Sequence, residues 1–288
     1  MPLVSIRDEI RKAQAGGYAL PCFLTFDQTS AEGVFAALAE RNCPAMVGMY
    51  NSVLDDPNAE AFAAYLSAMG RLSPVSISLM LDHGASPDRC RKALALGLSD
   101  VMYDGSNLPL EENIANARRA AEAAHAAGAC LEAEVGHVGV GEDYPTFGGQ
   151  GKGFTDPAIA ERFYEETRCD ILAVAIGNAH GVYRGEPRLD LALLAEIRRR
   201  VPVPLSLHGG TGLSVEQFRS AIAAGISKVN VFTDLAMTAA EEVGKTFKPG
   251  QSSYFDLMKT IRESFRRRCL HYIDAFRPAG DAPTAGAI

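Results

Sequence analysis

Ile171-Leu172-Ala173-Val174-Ala175-Ile176-Gly177-Asn178-Ala179-His180-Gly181 is the stretch that decides the fold class of this chain. Its first seven residues carry no polar side chain and do not alternate, as a strand with one wet face would. Such a run reads as a strand buried on both faces, the mark of a parallel sheet covered by helices. A histidine lies just beyond its end, and two other apolar runs end alike. Val75–Leu81 leads into Asp82-His83, and Val203–Leu207 into His208-Gly209. If all three runs are parallel strands, His83, His180 and His208 emerge at the same end of one sheet. Three neutral imidazoles meeting at a point are what zinc with an open fourth position requires.

The rest of the chain repeats this alternation. Strand-like runs fall at Ala19–Phe23, Ala45–Gly48, Val75–Leu81, Asp100–Met102, Cys130–Val135, Ile171–Ala175, Pro204–Leu207 and Lys228–Val231. Between them lie helical stretches such as Leu110–Ala127 and Asp190–Arg200. Ser86-Pro87, Thr155-Asp156-Pro157 and the capping box Ser214-Val215-Glu216-Gln217 mark helix starts. Eight such strands predict an α/β fold, a closed TIM (β/α)8 barrel in one domain over residues 1–288. An open doubly wound sheet is the competing reading, but no G-x-G-x-x-G follows the first strand. From about Pro249 the chain reads as a helical appendage, with Tyr254–Phe276 one long amphipathic stretch and 277–288 a frayed tail.

Composition narrows the function. At 288 residues and 47% hydrophobic, the chain supports one large core. A net charge of −7 with no basic run argues against nucleic acid or an anionic membrane as main partner. No apolar stretch reaches the roughly 18 residues of a membrane span, and Met1 to Arg11 lacks the apolar core of a signal peptide. The six cysteines are widely spaced without a C-x-x-C pair, so the expected setting is a reducing cytoplasm.

The catalytic face of a barrel is the C-terminal end of its strands. Residues expected there are Asp82 and His83; Asp104 and Ser106; Glu132 and Glu134; His180 and Gly181; His208, Gly209, Gly210 and Thr211; and Asn230 and Thr233. His208-Gly209-Gly210-Thr211-Gly212 runs into the Ser214-capped helix, where bare backbone N–H groups can wrap a phosphate. Residues 136–153 hold seven glycines with Glu142, Asp143 and Tyr144, and read as a mobile lid. His125 and His271 fall on helices and His137 in the glycine loop; all three read as surface or structural.

These segments resemble the class II, zinc-dependent ketose-bisphosphate aldolases. The resemblance rests on Leu81-Asp82-His83-Gly84, Val101-Met102-Tyr103-Asp104-Gly105-Ser106, Leu131-Glu132-Ala133-Glu134-Val135-Gly136, Val174–Gly181, Leu207–Leu213 and Asn230–Leu235, in the family's order from about residue 3 to 275. It implies retro-aldol cleavage of a phosphorylated ketose to dihydroxyacetone phosphate and an aldehyde, through a zinc-stabilised enediolate, in carbohydrate metabolism such as glycolysis. His83, His180 and His208 would hold Zn2+. Glu134 and Asp104 would act from behind them or form an inward resting site for the metal. Asp82 would be the acid/base on the aldehyde oxygen, and Glu142 the lid glutamate that works on the C3 proton. Gly181, Gly209, Thr211, Asn230 and Thr233 would hold the ketone phosphate and hydroxyls. The resemblance further implies a homodimer or homotetramer and a monovalent cation, Na+ or K+, near the phosphate.

Three departures concern the aldehyde side. Cys22-Phe23-Leu24-Thr25-Phe26-Asp27 replaces the family's Ala-Phe-Asn-Val, Met49-Tyr50-Asn51 stands where a small hydroxyl residue is usual, and Pro249–Tyr254 lacks the Asp-Pro-Arg arginine for a distal phosphate. The expected substrate is a ketose 1-phosphate with an atypical far end, Tyr50 and Phe26 supplying surface. Fructose or tagatose bisphosphate, met by another basic residue, is the alternative. Two other classes compete: a zinc barrel hydrolase, and a non-catalytic sugar-phosphate-binding relative.

Overall fold

The computed structural model describes residues 3–146 and 153–277. Ten strands appear among them: β1 (Leu20–Leu24), β2 (Ala45–Tyr50), β3 (Ile77–Gly84), β4 (Asp100–Tyr103), β5 (Leu131–Val135), β6 (Gly139–Val140), β7 (Ile171–Val174), β8 (Ala179–His180), β9 (Leu205–Leu207) and β10 (Ile226–Val231). Eight of them close a parallel barrel in the order β1-β2-β3-β4-β5-β7-β9-β10, with Cys22 opposite Asn230 in the closing pair. β1, β4, β5, β7, β9 and β10 are buried at every position. Burial on both faces is why β7 runs apolar without alternating, whereas β5 and β10 carry buried polar side chains, Glu132, Glu134, Lys228 and Asn230, among their apolar ones. The barrel interior is plugged at the bottom by Ile6, Ile10 and Ala13, which pack on Leu20, Met46, Met80, Met102 and Ile171.

The helices are α1 (Arg7–Gly16), α2 (Gln28–Glu40), α3 (Ala59–Leu72), α4 (Pro87–Ala95), α5 (Leu110–Ala126), α6 (Pro157–Thr167), α7 (Leu191–Arg200), α8 (Val215–Ala223), α9 (Thr233–Thr246) and α10 (Tyr254–Phe276). The caps read from sequence form: Ser86 Oγ accepts from Arg89 N at 3.2 Å, Asp156 Oδ1 from Ala158 N at 2.8 Å, and Ser214 exchanges bonds with Gln217. Each satisfies donors that the first helical turn leaves unpaired.

Two features depart from the expected outline. Part of the glycine loop is ordered, because β6 pairs in parallel with β8 above the barrel and leads into a 3-10 turn, Gly141–Thr146. The rest of that loop, and the tail read as frayed, fall largely outside the described residues. The second feature is α10, which packs between α2, α8 and α9 and against β1. Its Phe265, Cys269, Tyr272, Ile273 and Phe276 belong to the main core, and the Phe276 carbonyl accepts from Ala19 N at 3.1 Å. α10 therefore fills the eighth place in the helical ring, and α9 is the excursion that precedes it. Among the described residues no helix is long and apolar enough to cross a membrane, and all six cysteines are buried thiols.

Candidate active site

A cavity of about 560 Å³ opens at the C-terminal end of the strands. His83, His180 and His208 line it, and one ring nitrogen from each lies within 4.8 Å of the others. Local backbone aims the first of them. The β3–β4 register shifts between Leu81 and Gly84, and His83 adopts φ 51°. A left-handed residue other than glycine at a strand end is strained, and such strain collects at functional positions.

Two of the imidazoles, His83 and His208, are oriented from behind. His83 Nδ1 meets Asp104 Oδ2 at 2.8 Å, which turns Nε2 toward His208 Nδ1, 3.0 Å away. His208 Nε2 meets Glu132 Oε1 at 2.8 Å. Glu132 is in turn paired with Lys228 Nζ at 2.9 Å, and both side chains are fully buried. Asn178, buried, donates from Nδ2 to the His208 carbonyl at 3.1 Å, and the Tyr183 hydroxyl donates to the Gly209 carbonyl at 2.9 Å.

The electrostatics suit a cation. Burial alone would depress the His83 pKa, but Asp82, Asp104 and Glu134 outweigh it and hold it up at about 10. Burial also raises Glu132, yet Lys228 and His208 overcome that and keep the carboxylate ionised well below its usual range. Glu134 is pushed up to about 8 by desolvation and by Asp104. Burial depresses His180 and His208, so their rings stay neutral and able to ligate. Three imidazoles ringed by carboxylates fit a divalent ion bound through nitrogen. Asp104 and Glu134 form a second candidate set with His83, their oxygens within 4.8 Å of its ring nitrogen.

Around this cluster the remaining sequence-derived residues fall into two groups. Gly181, Gly209, Gly210, Thr211, Asn230 and Thr233 all line the cavity, on the ends of β8, β9 and β10. At Gly209, φ is +68° and a Cβ would sit 2.0 Å from the Ala179 carbonyl oxygen, so only glycine fits there. Thr211 Oγ1 also accepts from Asp234 N at 3.2 Å, tying the cradle to the first turn of α9. Asp82 is 2% exposed and accepts from Asn230 Nδ2 at 2.7 Å. Tyr50 lines the opposite wall, edge-on to His83 with ring centroids 6.0 Å apart.

Two loop residues stand differently against the expectations, Glu142 staying on the loop read as a lid and His137 departing from its surface or structural reading. Glu142 sits exposed in the 3-10 turn and is not among the residues lining the cavity. His137, read as surface or structural, does line it, with Nδ1 3.3 Å from Ser106 Oγ. Lys228 was absent from the sequence-derived site; a lysine at a strand start reads as solvated until the barrel closes over it.

Comparison with known proteins gives the lineage of this arrangement. Residues 4–281 match the family model described as Fructose-bisphosphate aldolase class-II. The uncharacterized protein YdjI of Escherichia coli K12 is 34% identical over 266 residues, which is 92% of this chain and 94% of the relative. The fructose-bisphosphate aldolase of Geobacillus stearothermophilus is 35% identical over 254 residues, covering 83% and 85%. Among solved structures, the YdjI aldolase from E. coli K12 superposes with a TM-score of 0.85 at 31% identity, covering 95% of this chain and 97% of that one. A histidine-lined barrel mouth, a glycine cradle and near-complete coverage agree: this chain belongs to the class II fructose-bisphosphate aldolase family, a family of carbon–carbon lyases.

Proposed function

We propose that this chain cleaves a phosphorylated ketose reversibly to dihydroxyacetone phosphate and an aldehyde, with one zinc ion held by His83, His180 and His208. The observation that carries the reading is the convergence of those three imidazoles at the barrel mouth beside a buried carboxylate, Asp82. Bound there, zinc would supply the Lewis acidity that polarises the ketone carbonyl.

The protein groups then divide the proton work. Asp82, fixed by Asn230, takes the proton from the C4 hydroxyl as the C3–C4 bond breaks and C4 becomes the aldehyde. The electron pair is left at C3. Glu142 delivers a proton to that carbon, and its exposed position means that the loop carrying it must close over the cavity. Gly181, Gly209 and Gly210 offer backbone N–H groups, and Thr211 and Thr233 hydroxyls, to the ketone phosphate. A Na+ or K+ ion beside that phosphate, and assembly as a homodimer or homotetramer, complete the reading. Asp104 and Glu134 serve as an inward station for the metal, supported by their shared reach with His83.

The test is release of dihydroxyacetone phosphate, coupled to NADH oxidation, with and without a chelator. Release should be chelator-sensitive. Glu142→Gln should lower kcat by roughly 10²–10⁴ with zinc content unchanged. Unchanged turnover in that variant would remove Glu142 from the chemistry.

A further inference from the structure

In an eight-stranded barrel, strands four places apart lie across the axis from each other. The order β1-β2-β3-β4-β5-β7-β9-β10 sets β7, β9 and β10 opposite β2, β3 and β4. The glycine cradle occupies the first set of strand ends. A substrate anchored there by its phosphate extends its other end toward Tyr50, Asn51, Ala85, Asp104 and Asn107, which line the far wall.

No lysine or arginine lines the cavity among the described residues. Arg262, the surviving arginine of the C-terminal region, sits on α10 paired with Glu32 of α2. Arg89 stands behind Asn51, and four of its five guanidinium N–H groups are engaged away from the cavity. Nε donates to Asn51 Oδ1 at 2.9 Å, Nη2 to the Asn51 carbonyl at 2.7 Å, and both terminal nitrogens pair with Asp55. Apart from the metal site and its imidazoles, the charged side chains that line this side are Asp82 and Asp104. A distal phosphate dianion would meet them with no lysine or arginine from the described wall, whereas a hydroxyl would find hydrogen-bond partners.

Those partners are specific. Asn51 Oδ1 is occupied by Arg89 and by Ala85 N at 3.3 Å, so the amide's orientation is set and its Nδ2 hydrogens are what it offers. Tyr50 presents a phenol held protonated by partial burial and the nearby carboxylates, and an aromatic face for C–H groups. We infer that the wall formed by Tyr50, Asn51 and Asn107 is a subsite for a neutral polyhydroxy chain, so that the preferred substrate is a ketose 1-phosphate bearing hydroxyls, and no second phosphate, at its far end. The inference rests on the aldolase reading above.

The experiment compares kcat/KM for ketose 1-phosphates and their 1,6-bisphosphates, and, in the synthetic direction, glyceraldehyde against glyceraldehyde 3-phosphate as acceptor with dihydroxyacetone phosphate. The monophosphate and the unphosphorylated acceptor should be favoured by about tenfold or more. Ala85→Lys, at an exposed position on the rim, should narrow that ratio about tenfold by supplying the missing cation. Tyr50→Ala should raise KM for the monophosphate more than it lowers kcat. Equal or better use of the bisphosphate by the unaltered enzyme would overturn the inference while leaving the aldolase reading intact. Lys152 lies outside the described residues, and such use would count against the inference whichever residue supplied the charge. No chelator-sensitive turnover of any member, in either direction, would overturn both.

Discussion

Lys228→Met tests how the barrel interior is balanced. Lys228 and Glu132 are both fully buried, 2.9 Å apart, with Lys228 also donating to Asn230 and, at 3.4 Å, to Ser206 Oγ. Removing the ammonium strands a carboxylate in the core, a loss of about 3–5 kcal/mol for a broken buried pair. At about 2 °C per kcal/mol for a chain of this size, Tm should fall by about 6–10 °C. Adding Glu132→Gln removes the second charge and keeps an oxygen acceptor for His208 Nε2–H, so the double variant should recover more than half of the loss. Calorimetry and urea titration of the metal-depleted protein give both values without interference from ligand linkage. A single-variant loss under about 1 kcal/mol, the size of an exposed pair, would refute the reasoning.

Two other outcomes follow from the site. His83, held up at about 10, carries a proton at pH 8 that must leave before its nitrogen can ligate. Zinc uptake should release close to one proton, and affinity should rise roughly tenfold per pH unit between about 6.5 and 10; titration calorimetry in buffers of different ionisation enthalpy reads this, and pH-independent affinity would sink it. The same raised pKa stabilises the metal-depleted fold fully below about pH 6.5, and that contribution is lost as pH rises through about 10. Gly209→Ala places a Cβ 2.0 Å from the Ala179 carbonyl at φ +68°, costing about 1–3 kcal/mol of stability and lowering kcat/KM for any phosphorylated ketose. A variant with wild-type Tm and kinetics would show that the cradle backbone is free to move.

The barrel was legible because its strands are wet on neither face. Ile171–Val174 advertises burial by composition alone. The three histidines were legible for a related reason, each following such a run. What escaped depends on neighbours distant in sequence. Lys228 is buried only because Glu132, 96 residues away, receives it. The β6–β8 pair is two residues long on each side, too short to carry a period. His137 reads as loop in the sequence yet lines the cavity, since strand β5 ends in a turn that folds back over the mouth. The role of α10 was hidden because a helix after the eighth strand is expected to be the eighth in the ring, and α9 comes first.

That substitution has a consequence for biosynthesis. β1 is made early, yet its flank and the carbonyl that receives Ala19 N come from α10, the last helix of the barrel. Domains made on the ribosome generally fold as units, so a barrel that lacks its closing helix waits for it. Here the nascent chain must hold α2 and the first strand with an uncovered apolar flank until residue 276 is free to dock. Chaperone dependence, and sensitivity to ribosome stalling, should therefore persist until Tyr254–Phe276 has been made and released.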